Sequence, residues 1–176
     1  MFKRTPAKAW YAIYTKSRAE KKVFQFLQWK EIDCYLPLQR TMKKWSDRKH
    51  LTDIPLLRSY VFVYVTDCDK ERMRFIPGMA RMVSFDGQAI CISDKEIRWI
   101  QLLEGQKGEA VPVDQFFNQG DKVKVVAGPL VGLEGELIKM KGKHKVVITI
   151  SSVNQSIMVE IAGHFLAKTE IAGEVA

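Results

Sequence analysis

The chain is poor in the residues that give small proteins covalent or catalytic chemistry. Its 176 residues hold 3 cysteines, Cys34, Cys68 and Cys91, at wide spacing and with no Cys-x-x-Cys pair. That argues against a disulfide framework and a zinc site and points to reduced thiols. The 3 histidines, His50, His144 and His164, sit in polar or loop contexts, so no metal or cofactor is expected. No Gly-x-x-x-x-Gly-Lys-Ser/Thr loop and no Gly-x-Ser-x-Gly elbow occurs, and no acid–base cluster suggests an enzyme. Nowhere do about 18 apolar residues run together, so no membrane-spanning helix is expected. The opening Met1-Phe2-Lys3-Arg4-Thr5-Pro6 lacks the apolar core of a secretory signal, which predicts a cytoplasmic protein.

What is present is an ordinary globular composition, 47% hydrophobic and 27% charged, with 28 Lys and Arg against 20 Asp and Glu. The net +8 is unevenly placed. Residues 1–108 carry 21 basic and 12 acidic side chains, and residues 109–176 carry 7 and 8. A basic first part suggests a polyanionic partner for that part alone. The change falls at a stretch with two glycines and a proline, Gly105, Gly108 and Pro112, which resists helix and central strand. The expected organisation is therefore a domain at residues 1–108, a linker at 109–117 and a second domain at 118–176.

Periodicity predicts the elements. Trp10 to Tyr14 reads as a strand. Ser17-Arg18-Ala19-Glu20 reads as a capping box opening a helix that carries Ala19, Val23, Phe26 and Leu27 on one face. Leu38 to Trp45 and Lys49 to Ile54 read as hairpin arms around Ser46-Asp47-Arg48. Tyr60 to Val65, apolar on both faces, reads as a central strand. Asp69 to Phe75 reads as a short helix, Asp86-Gly87 as a hairpin turn, and Ser93-Asp94-Lys95-Glu96 as a second capping box. The second domain shows only strands at roughly ten-residue spacing, which suits a small β-barrel. The order predicts an α+β chain.

Two resemblances sharpen this. Gly120-Asp121-Lys122-Val123 through Gly135 resembles a KOW motif, with turns at Gly128, Pro129, Gly132 and Gly135, and Val159-Glu160-Ile161 resembles the segment closing its barrel. The first domain is similar to the N-terminal domain of the NusG family of transcription elongation factors. The similarity runs through Trp10-Tyr11, Ser17 to Lys22, Pro55 to Val63, Pro77-Gly78 and Ser93 to Glu96, in family order. The resemblance implies a ferredoxin-like α/β sandwich (the NGN domain) followed by an SH3-like barrel. It implies a monomer that binds RNA polymerase and alters pausing or termination without catalysis. Arg58-Ser59-Tyr60 stands where the housekeeping form has Pro-Gly-Tyr, and Ser152-Val153-Asn154-Gln155 where it has Ile-Phe-Gly-Arg. The second departure, which lacks the aromatic and the arginine, counts against ribosome and Rho contact, and the first domain resembles the specialised UpxY-like and RfaH-like antiterminators of long operons, such as surface polysaccharide clusters, UpxY more nearly through Trp10-Tyr11-Ala12 and Leu57 to Phe62. The competing readings are a housekeeping elongation factor, or an RNA- or ribosome-binding module acting off the polymerase.

By motif position the resemblance assigns Tyr14, Leu57, Tyr60, Phe62 and Met82 to the polymerase clamp helices. It places Lys16 and Arg18 near non-template DNA, and Arg72 and Arg74 near the gate loop. Arg40, Lys43, Lys44, Arg48 and Lys49 on the hairpin have the charge to track upstream duplex phosphate or nascent RNA, with Trp45 available to stack on a base. The β-branched run Val146 to Ile150 predicts a barrel that does not switch to helix.

Overall fold

The computed structural model describes residues 7–45, 48–73, 75–104, 111–113, 120, 122–126, 128–140, 143–161 and 166–168, with backbone alone at 42–45, 48–50, 71–72, 111–113, 139–140, 143–144 and 166–168. The chain divides into two compact units, Met1–Arg98 and Trp99–Ala176.

In the first unit, β1 (Ala9–Thr15), α1 (Glu20–Trp29), β2 (Cys34–Tyr35), β3 (Leu38–Trp45), β4 (Arg48–Pro55), β5 (Tyr60–Val65) and α2 (Asp67–Arg72) are followed by β6 (Met79–Met82), β7 (Ser84–Phe85), β8 (Gln88–Ala89) and β9 (Cys91–Ile92), and α3 (Asp94–Glu104) begins in this unit and ends in the next. The sheet runs β2-β5-β1-β6, with β9 also pairing with β1. β5 lies inside it, as its unbroken Tyr-Val-Phe-Val-Tyr-Val sequence requires: a strand covered on both faces has no use for polar alternation. Its odd-numbered face, Val61, Val63 and Val65, joins Tyr11 and Ile13 of β1 under Val23 and Leu27 of α1. The helical stripe behaves as its spacing predicts, leaving Lys21, Lys22 and Lys30 exposed.

Local rules hold at some termini and yield at others. Ser93 and Glu96 form a complete capping box at α3: the Glu96 N–H donates to Ser93 Oγ at 3.2 Å and the Ser93 N–H to Glu96 Oε2 at 3.1 Å. Asp86 and Gly87 both take positive φ, 48° and 77°, and close a two-residue hairpin between β7 and β8. The box expected at Ser17 does not form. α1 starts at Glu20 behind Ala19, with no side-chain cap. The Glu20 carboxylate instead accepts the backbone N–H of Ser59 at 2.8 Å; a tertiary partner has outbid the local one. α2 also starts earlier than its apolar spacing suggests. The Thr66 hydroxyl and N–H both donate to Asp69 Oδ2, at 2.7 and 3.3 Å, which fixes the first turn two residues upstream. The 38–55 hairpin is present, with Trp45 opposite Arg48, so Arg48 belongs to the second arm rather than the tip; Ser46 and Asp47 lie outside the described residues.

The second unit contains β10 (Val111–Val113), β11 (Lys122–Val125), β12 (Glu134–Met140), β13 (Lys143–Ile150), a 3₁₀ turn (Ser151–Val153), β14 (Gln155–Glu160) and β15 (Leu166–Lys168). They pair in the order β10-β14-β13-β12-β11-β15. No described pairing joins β10 to β15, so the described ladder is an open six-stranded path rather than the expected closed barrel. Pro112 in β10 lacks an N–H, which suits a strand at the end of a path. β10 also falls inside the stretch expected to be a linker: two valines flanking that proline find pairing partners at Met158 and Ser156. Gly128 and Gly132 turn the chain with φ of 82° and 91°. Gly135 does not. It lies within β12, where a Cβ would overlap the Val147 carbonyl oxygen and meet Val146 Cγ1 at 2.7 Å. It is glycine because of close approach, not because of a turn.

Candidate partner and nucleic-acid surface

Antiparallel pairing of β1 with β5 sets Trp10 opposite Tyr64, Ala12 opposite Phe62 and Tyr14 opposite Tyr60. Directly opposed residues share a face, so these side chains form one stripe on the even face of the sheet. The rings touch: Trp10 and Tyr64 at 5.1 Å between centroids, Tyr14 and Tyr60 edge to face at 5.4 Å and 74°.

Exposure divides the expected partner contacts. Leu57 and Phe62 are wholly buried, and Tyr60 nearly so. Leu57 precedes the strand but turns inward beside Leu56, so both are core. Tyr14 is 38% exposed and is the one of the five that offers a broad surface. Met82 is half-buried and lies on the other face: it pairs with Ile13 and packs against the helix-side core. The expected five-residue pocket is therefore not one surface. The neighbour of Tyr14 across β6 is Arg81, whose guanidinium carbon lies 5.8 Å from the ring centroid. Arg81 was missed because its place beside Tyr14 depends on the pairing of β6 with β1, which no local pattern in the sequence fixes.

The basic candidates fall into separate places. Lys16 and Arg18 are exposed on the turn between β1 and α1, where Arg18 adopts φ 61°. Arg40 pairs across the hairpin with Asp53 at 3.4 Å, and Lys21 Nζ donates to the Asp53 carbonyl at 2.6 Å, tying α1 to the hairpin. Further out, Lys43 faces His50, Lys44 faces Lys49 and Trp45 faces Arg48 in the ladder register. Arg72 ends α2, and Arg74 lies outside the described residues.

α2 is itself held down on β1. Lys70 Nζ sits 3.7 Å from the Tyr11 ring centroid and 2.6 Å from Asp67 Oδ1. The Lys70 hydrogen bond, then its charge, holds the Asp67 carboxyl below its ordinary value. Partial burial pulls Lys70 down, but the hydrogen bonds to Asp67 and Tyr11 outweigh it and raise the ammonium. Beyond α2, exposed Phe75 and the end of α1 line a cavity of about 450 Å³ with Phe26, Lys30 and Tyr64.

In the second unit, Ser152 to Gln155 span the end of the 3₁₀ turn and the start of β14. Val153 is buried and Asn154 is left-handed at φ 51°.

Residues 8–101 match the family described as transcription termination factor nusG. The chain is 28% identical over 163 residues to the transcription termination/antitermination protein NusG of Thermus thermophilus, an alignment covering 80% of this chain and 89% of that one. It is similar to the solved structure of NusG from Thermotoga maritima, at a TM-score of 0.61 and 25% identity, covering 93% of this chain and 98% of that one.

Proposed function

Because the chain belongs to the NusG family of transcription termination factors, we propose that it acts on transcription elongation by binding RNA polymerase through the Tyr14 end of its first sheet. The carrying observation is the exposed Tyr14 ring, backed edge-on by Tyr60 and flanked by Arg81, on a face where Ala12, Tyr60 and Phe62 are buried. An aromatic anchor beside a guanidinium is the composition expected where a protein partner docks. Lys16 and Arg18, two and four positions further along, lie where a nucleic-acid strand beside the polymerase would pass. The protein works by binding alone, as a cytoplasmic monomer.

Within the family, the specialised antitermination branch is the reading we favour, acting on long operons such as those for surface polysaccharides. Arg58-Ser59 in place of Pro-Gly, and a turn at 152–155 without an exposed aromatic or arginine, support it. A KOW-type barrel would then serve a partner other than the ribosome or Rho. The housekeeping role is the competing reading, supported by the coverage of 89% of the Thermus protein.

Capture of RNA polymerase by wild type, Tyr14→Asp and Arg81→Glu tests the surface. Both variants should still fold, with cooperative thermal melts, and lose capture; capture undiminished in both would remove the site. An in vitro assay on a template with an intrinsic terminator then fixes the sign: read-through rising with added protein supports antitermination, and increased termination supports the housekeeping reading.

A further inference from the structure

The ring pair of Tyr14 and Tyr60 depends on a contact from outside the sheet. Tyr60 follows Ser59, which takes φ 64°, a left-handed conformation that a non-glycine residue keeps only where its surroundings enforce it. The peptide groups on both sides of Ser59 are bonded. Its carbonyl accepts the N–H of Thr15, next to Tyr14, at 2.8 Å, and its own N–H donates to Glu20 Oε1 at 2.8 Å. Glu20 is buried. A buried carboxylate is unfavourable unless hydrogen bonds satisfy it, and a charge-assisted bond to a backbone N–H is among the strong ones. The side chain that could have closed a local capping box with Ser17 serves instead a residue 39 positions away, one before the ring.

The two strands that carry the rings are not held alike. The end of β1 is tied down without Glu20. The Lys16 N–H donates to the Gly78 carbonyl at 2.9 Å, and Gly78 lies so close to the start of α1 that a Cβ there would stand 3.2 Å from Ala19 Cβ and 3.1 Å from Val23 Cγ2. At the start of β5 the Ser59 N–H is held by Glu20, and Arg58 before it is exposed. Tyr60 stands edge-on to Tyr14 at 5.4 Å, so a displacement of Tyr60 is passed to the exposed ring.

We propose that Glu20 is a positioning residue for partner docking: it holds Ser59, Ser59 sets Tyr60, and Tyr60 fixes the direction in which the Tyr14 ring meets the polymerase. This deepens the reading above and rests on it. What Glu20 supplies is an acceptor at the right reach rather than a charge, and two substitutions separate those properties. Glu20→Gln keeps an oxygen at that reach and removes the charge. Glu20→Asp keeps the charge and shortens the side chain by one methylene.

The test uses the intact protein with fluorotyrosine at its 5 tyrosines, read by fluorine NMR beside capture of RNA polymerase. Tyr14→Phe and Tyr60→Phe assign the two resonances. Glu20→Ala and Glu20→Asp should shift both, leave Tyr64 near the other end of β5 in place, and weaken capture about tenfold, the scale of one degraded anchor contact. Glu20→Gln should restore both readouts. Adding Ser59→Gly to Glu20→Ala should recover most of the lost capture, because glycine takes a positive φ without enforcement. Ser93→Ala, a destabilising change at the α3 cap, should keep capture.

Unmoved resonances in Glu20→Ala overturn the inference, and so do moved resonances with capture intact. Equal impairment of Glu20→Gln and Glu20→Ala overturns it by making charge the cause, and equal impairment of Ser93→Ala by making lost stability the cause. Should Glu20→Ala fail to fold, Glu20→Asp against Glu20→Gln gives the same decision. If wild type captures no polymerase, the reading above falls, and the fluorine shifts alone decide whether Glu20 sets the ring pair.

Discussion

At the residue scale, burial separates positions that the sequence makes look alike. Leu57 and Phe62 have no exposed surface, whereas Tyr14 on the same sheet is 38% exposed. Leu57→Ala should therefore cost about 2–5 kcal/mol of stability, the range for truncating a buried leucine, with any loss of polymerase binding following from unfolding. Tyr14→Ala forfeits chiefly the edge contact with Tyr60, about 0.5–1.5 kcal/mol, while removing the proposed anchor. Urea titration of both variants checks the contrast. The cysteines divide in the same way. Burial, then the neighbouring Asp33 charge, pushes the Cys34 thiol up to about 11, while Cys68 and Cys91 are exposed. Iodoacetamide at mildly alkaline pH should label Cys68 and Cys91 and spare Cys34, as peptide mass spectrometry would report. The folded chain holds that proton more tightly than the unfolded chain. The associated stability is thus complete below the unfolded thiol's pKa and is lost as pH rises towards 11.

At the element scale, two serines that open the same motif have different fates. Ser93→Ala should cost about 1 kcal/mol, since Ser93 Oγ accepts the Glu96 N–H. Ser17→Ala should stay within about 0.5 kcal/mol, because Ser17 is an exposed turn residue that caps nothing. Thermal melts of the two variants distinguish them. Gly135→Ala should cost about 1–3 kcal/mol or more, as an overpacked ladder position. The contrast also marks what was legible beforehand. Tyr60–Val65, the Asp86-Gly87 turn and the Ser93 box are local signals with no competitor, and all appear as expected. The Ser17 box failed because Glu20 has a partner 39 residues away. Gly135 looked like a turn glycine because its constraint comes from β13, across the sheet. β10 and β15 are three-residue strands whose existence depends on β14 and β11. Met82, a candidate by motif position, pairs with Ile13 on the helix side of the sheet, a pairing between β6 and β1 that leaves no trace in local composition. Local chemistry is readable along the chain; pairing across it is not.

At the scale of the whole molecule, the charge asymmetry matches the division of labour proposed here. The basic excess lies in residues 1–108, where Lys16, Arg18 and the 38–55 hairpin are placed. Residues 109–176 are nearly neutral, and their described long elements are strands. Backbone NMR shifts of the intact protein should be extended across residues 143–150 and 155–160; helical shifts there would contradict both the ladder and the β-branched run that predicts it. The hydrogen bond from Ser59 to Glu20 also bears on the order of events in folding. It closes 39 residues of chain, an entropic cost that is met only after β1 and β5 have already paired. A contact made after the barrier is crossed acts as a latch on exit: Glu20→Ala should accelerate unfolding in stopped-flow experiments and leave the refolding arm of the chevron nearly unchanged.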